Sequence, residues 1–201
     1  MSKIAICFMT KDGVDLSKQT IEPLLYRQDD FDLWSIDGSG STEGKIWPKQ
    51  YNFQQRRENV VGGPDAAVAY AVTECLAHGY DYIGIVENDV LLPKDWFEDT
   101  FLLFEEAEED GIKAGAVSAR CYADRILFPR DGYAVMHNLG FGMVIWSREA
   151  AEIMLRNFRT SWTLENRRLF MELSGIDIGP HWAFNVGEHW LCADWGVDRV
   201  L

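Results

Sequence analysis

The chain has 201 residues, enough to bury a sizeable core in one domain with at most a small appendage. Hydrophobic residues make up 47% and charged residues 25%, an ordinary globular balance. The net charge of -13 excludes bulk nucleic-acid binding, which needs a basic face, but permits a phosphate ligand where a metal supplies positive charge locally.

Residues 4–9 (IAICFM) form a near-continuous apolar run, the pattern of a strand buried on both faces of a parallel sheet. The run is too short and wrongly flanked for a signal peptide, and no other run could span a bilayer, so no transmembrane segment is expected. The four cysteines are widely spaced and form no CxxC pair. That spacing argues against structural zinc and for reduced thiols in a cytoplasmic protein, with Cys7 and Cys75 in the core.

After a loop over residues 10–15, residues 16–27 read as a helix, in which Pro23 must sit near the first turn or kink it. Residues 31–36 read as a second strand, ended by Asp37-Gly38-Ser39-Gly40-Ser41. Such a Gly/Ser loop can approach a ligand closely. Residues 45–57 have no clear period and are expected to be loop, with a short strand at 59–61. Gly62-Gly63-Pro64 opens a strong helix whose Val68, Ala71, Val72, Cys75 and Leu76 share one face and whose end Gly79 caps.

The apolar stretch 82–86 then runs into Glu87, Asn88 and Asp89. Two carboxylates at the end of a buried strand are costly unless something positive meets them. Residues 95–109 read as a helix with a solvated acidic end. Strands are expected at 113–121, 126–128 and 140–146. Ser147 is the expected N-cap of a helix to about Phe158, and residues 164–173 are expected to be helical. From Ile176 the text becomes dense in His, Trp, Asp and Gly. It ends at Leu201 in an apolar helix pattern, as expected of a piece of a longer chain. This alternation predicts an α/β fold with three layers and a mostly parallel central sheet flanked by helices.

These motifs together resemble the GT-A fold glycosyltransferases, most closely the large family 2 group. The resemblance rests on the first strand ending in Thr10, on Asp37 with its Gly/Ser/Thr-rich turn, and on the helix opened after Gly63. Glu87-Asn88-Asp89 looks like the family's DxD metal motif, with Glu at its first position. The sequence departs from the family pattern at Lys11-Asp12-Gly13, where an aromatic-Asn-Arg run is usual, and at Tyr70, where an asparagine is common. The likeness is good over residues 1–97 and weak beyond, where Ala193-Asp194-Trp195-Gly196 loosely resembles the start of the base-carrying helix.

The resemblance implies a single GT-A-like domain over 1–201. About 1–97 would form the donor half and about 98–201 the acceptor half. It implies a nucleotide-sugar donor, a divalent metal (Mn²⁺ or Mg²⁺), and an acceptor of unknown class, whether glycan, protein or small molecule. The expected donor-binding residues are Thr10, Asp12, Asp37, Gly63, Glu87 and Asn88. The expected metal ligands are Asp89 and Glu87, with His189 and His181 as further candidates. The expected catalytic base is Asp194, with Asp177 and Asp198 next.

Plainer readings stand beside these. Glu87 and Asp89 suit caps of the next turn or helix, Asp37 an Asx turn, the two histidines a structural role, and Asp194 a helix cap or an ion pair with Arg199. A nucleotidyltransferase shares the layout but needs a Gly-rich, basic loop after the first strand, which residues 10–13 do not supply. A dinucleotide-binding domain is disfavoured because no GxGxxG follows residues 4–9. A non-catalytic nucleotide- or sugar-binding module of the same fold is the remaining alternative.

Overall fold

The computed structural model describes residues 2–60, 63–118, 126–129, 133–136, 142–161, 184–186 and 189–191. The apolar run of the N-terminus becomes β1 (Ile4–Thr10), the centre of a sheet. β1 pairs in parallel with β2 (Asp32–Asp37) on one side and β4 (Tyr82–Glu87) on the other. β3 (Gln55–Arg57) adds a parallel edge beyond β2. On the far side, β8 (Met143–Ser147) runs antiparallel to β4 and to a two-residue edge strand, β5 (Ala116–Val117). The order is β3-β2-β1-β4-β8-β5, so only β8 runs against the others. Two antiparallel ribbons stand apart, β6 (Ile126–Pro129) with β7 (Ala134–Met136) and β9 (Phe184–Val186) with β10 (His189–Leu191).

Because strand side chains alternate, the sheet buries two apolar faces. Ala5, Cys7, Trp34, Ile83, Ile85, Val144 and Trp146 face α3 (Gly63–Ala77) and α5 (Arg148–Ser161), meeting Val68, Ala71, Val72, Cys75 and Met154. Ile6, Phe8, Leu33, Val86 and Ile145 face α1 (Val14–Tyr26) and α4 (Trp96–Glu109), meeting Ile21, Leu24 and Trp96. These are the three expected layers. Gly84 is required on the second face, since a Cβ there would collide with the Ile6 side chain. Cys7 and Cys75 are free and buried, with their sulfurs 3.5 Å apart. Gly79 ends α3 as expected: at φ 77 it takes the left-handed form that glycine adopts freely, and Tyr80 N reaches back to Cys75 O.

Several expectations are corrected. Residues 45–57 are not a plain loop: α2 (Thr42–Ile46), a 3₁₀ turn (Trp47–Gln50) and β3 occupy most of this region. All three β3 residues are exposed, so an edge strand formed without an apolar signal. The strand expected at 59–61 lies instead at Gln55–Arg57. Asn59 has φ 58, which no strand residue adopts, and Val61 is outside the described residues. α1 begins at Val14, so Pro23 lies in its C-terminal part and not in its first turn. Within 113–121 the described strand covers only Ala116–Val117. The helix expected at 164–173 lies outside the described residues.

Candidate functional site

Parallel strands deliver their carboxyl ends to one edge of the sheet, where ligands bind in open α/β folds. Here the register sets Thr10 beside Asp37 and Met9 beside Glu87. Asp37 and Glu87 are thus two strand spacings apart, roughly 10 Å. α3 starts at this same edge, because Val60 N bonds Asp37 O shortly before Gly63 begins the helix.

Asp37 is 3% exposed. Its Oδ1 accepts from Thr10 Oγ1 and from Ser39 N, each at 2.9 Å. Its Oδ2 is buried with no hydrogen-bond partner among the described residues. A buried carboxylate oxygen left open costs free energy unless a ligand donor meets it. Gly38 permits the tight turn: its N bonds Thr10 O at 2.8 Å, and a Cβ would lie 3.1 Å from Val60 O.

At the end of β4 the three polar residues part ways. The Asn88 side chain turns back to α1, where Nδ2 donates to Asp12 O at 3.0 Å and Ser17 Oγ at 2.8 Å. Its backbone O accepts from Thr20 Oγ1 at 3.0 Å. Asn88 therefore roots the turn. Glu87 is half-buried and Asp89 exposed. No hydrogen bond or ion pair reaches either carboxylate among the described residues. Burial, and then the Asp89 charge, push the Glu87 carboxyl above its ordinary value.

Asp12 has φ 52, and both of its carboxylate oxygens are engaged within the protein, by Gly40 N at 3.2 Å and Ser41 N at 2.9 Å. Hydrogen bonding from the Ser41 side chain, then from the Ser41 and Gly40 amides, holds its carboxyl below the usual range. Ser39, Ser17 and Thr20 are site residues that sequence reasoning missed. Only Ser39 carried a signal, through its Gly/Ser loop.

Among the described residues, no three His, Cys, Asp or Glu side chains gather into a metal cage. Mg²⁺ or Mn²⁺ needs none where substrate phosphates complete the shell around one or two carboxylates. The unpaired, mutually repelling Glu87 and Asp89 fit that donor set. His189 lies in β10, and its side chain is not described. His181, Asp177, Asp194 and Asp198 lie outside the described residues.

Sheet order and layers match a GT-A, Rossmann-like fold. No family model matches the chain, and no curated protein does. Solved structures match at the level of fold. S. aureus TarS 1–349 superposes with a TM-score of 0.52 at 12% identity, over 82% of this chain and 52% of that one. Its complex with UDP-GlcNAc gives 0.53 at 13% identity, over 77% and 47%. The chain therefore spans about half the length of TarS 1–349. The 4-diphosphocytidyl-2C-methyl-D-erythritol synthase from Anaerococcus prevotii gives 0.52 at 10% identity, over 86% and 84%. The structural neighbours thus include both nucleotide-sugar transferases and nucleotidyltransferases.

Proposed function

We propose that the chain is a metal-dependent glycosyltransferase that moves a sugar from a nucleotide-diphosphate sugar to an acceptor hydroxyl, with inversion. One observation carries this reading. A buried carboxylate with an open oxygen and a pair of carboxylates, both without partners among the described residues, share one sheet edge, about a nucleoside's length apart. Asp37 would accept from the base, positioned by Thr10. Gly63 would bring the α3 backbone to the donor. Asp89 would bind the cation directly, and Glu87 would reach it through water or hold the ribose hydroxyls. A bound cation neutralises charge on the diphosphate as it leaves.

The β1–α1 loop favours this reading over nucleotidyl transfer. A triphosphate cradle needs free amides and basic charge, whereas here the Asp12 amide is donated to Ser39 Oγ and the loop carries the Asp12 carboxylate.

Asp194 is the proposed base, with Asp177 or Asp198 next; His181 or His189 would complete the metal shell. A single domain in the cytoplasm, with residues beyond about 98 receiving the acceptor, completes the reading. Free thiols at Cys7 and Cys75 suit that compartment.

The test is a thermal-shift screen of UDP- and GDP-sugars with and without Mn²⁺, followed by an assay of sugar release. A ligand of the native state raises the melting temperature by mass action. Stabilisation that needs both Mn²⁺ and nucleotide, with turnover, is the expected result. Binding without any turnover would identify a non-catalytic module instead. In Asp194→Asn, turnover should fall about 10²–10⁴-fold with nucleotide binding intact; full turnover would overturn the base assignment.

A further inference from the structure

We propose that Asp12 is a positioning residue that locks three loops of the carboxyl edge into one piece, setting Asp37 and the Glu87–Asp89 turn at a fixed separation. This rests on the donor-binding reading above.

Four hydrogen bonds tie this one residue to the other two loops. Its backbone O takes Asn88 Nδ2 at 3.0 Å, from the turn after β4. Its backbone N donates to Ser39 Oγ at 2.8 Å, and its two carboxylate oxygens take Gly40 N and Ser41 N, all from the loop after β2. Ser39 N in turn donates to Asp37 Oδ1 at 2.9 Å. An unbroken path therefore runs from the Glu87–Asp89 turn to Asp37, and Asp12 is its middle. The residues joined are 76 apart at one end and 27 to 29 apart at the other.

The backbone is shaped for this task. Asp12 at φ 52 and Gly13 at φ 57 form consecutive left-handed residues. For a non-glycine residue that conformation is uncommon and persists where surrounding contacts support it. α2 closes the arrangement from behind: a Cβ on Gly44 would lie 2.9 Å from Asp12 Oδ1 and 2.7 Å from the Ser39 Cβ. Only a carboxylate offers an acceptor oxygen to both amides, since an asparagine has one. A donor that must meet Asp37 and Asp89 together gains affinity when their spacing is set beforehand.

The test has two arms. In the first, hydrogen exchange of the Gly40 and Ser41 amides is measured without ligand in wild type, Asp12→Asn, Asp12→Ala and Gly44→Ala. Exchange should accelerate at both amides in Asp12→Ala and less in Asp12→Asn. Gly44→Ala should act in the same direction, because it displaces the carboxylate without removing it. In the second, UDP and GDP are titrated in the presence of Mn²⁺. Asp12→Ala should weaken binding about 10–100-fold, the usual effect of removing a group that orients ligand-holding residues, with partial rescue in Asp12→Asn. Combined with Asp37→Asn, the loss should fall short of the product of the single losses, because the second change acts on a loop already released.

Unchanged exchange in Asp12→Ala, or losses that multiply in full, would overturn the positioning role. If wild type binds neither nucleotide, the donor reading fails and the exchange arm alone decides: faster exchange supports the lock, and unchanged exchange refutes it.

Discussion

The two edges of the same sheet treat charge in opposite ways. At the amino edge every polar group named here has a partner. Asp81 accepts from Lys3 N at 2.8 Å, and Arg148 donates to the carbonyls of Tyr80 and Leu76 while pairing with Glu152. The Tyr80 hydroxyl donates to Asp32 at 2.6 Å and accepts from Trp34 Nε1 at 3.3 Å. At the carboxyl edge, Asp37 keeps one buried oxygen open, and the Asp89 charge pushes up the Glu87 carboxyl, with no ion pair to either among the described residues. Equal topology thus gives one edge whose polar groups are paired and one whose carboxylates cost stability, a division common at functional sites.

That contrast can be broken from either side. The largest effect is expected at Asp89. Asp89→Ala should abolish Mn²⁺-dependent nucleotide binding, at a cost of several kcal/mol if the carboxylate stabilises charge, while the melting temperature without ligand does not fall. Calorimetric titration reads this directly, and binding equal to wild type would remove the metal role. Next comes Tyr80→Phe at the other edge. Burial, and then the bond to Asp32, hold the phenol protonated well above its ordinary range, so its proton is a reliable donor. Losing it strands Asp32 and the buried Trp34 N–H. Thermal unfolding should register about 1–3 kcal/mol of lost stability, with nucleotide affinity intact. A parallel loss of affinity would mean that the edges are coupled.

The smallest expected effect has the opposite sign. The Glu87 carboxyl is raised above its unfolded value, so its neutral form is favoured in the fold. That contribution is fully present below the unfolded value, near pH 4, and is lost as pH rises through the raised folded value. Glu87→Gln should therefore raise the melting temperature at neutral pH by a few degrees, and the gain should vanish near pH 4. A melting temperature lower than wild type at pH 7 would show that Glu87 is satisfied in the native state. Mn²⁺ with nucleotide should stabilise the variant less than wild type.

Much of the carboxyl edge was legible in the sequence. β1, β2 and β4 announce themselves as apolar runs because both faces of each are covered. α3 shows its spacing and its glycine cap, and Asp37, Glu87 and Asp89 stand where those runs stop. What escaped was of two kinds. β3 is an exposed edge, so nothing in Gln55-Arg56-Arg57 had to be apolar. The hydrogen-bond partners of Asn88 and Asp12 escaped because they lie far along the chain.

The amino-acid sequence by itself determined the layers and the acids that the carboxyl edge carries, because periodicity and run length are local properties. Only the tertiary structure decided that Asn88 turns inward while Glu87 and Asp89 have no partner among the described residues, and that Asp12 joins the two arms. Hydrogen-bond partnership is settled by which loops the strand order brings side by side, and no local pattern records that.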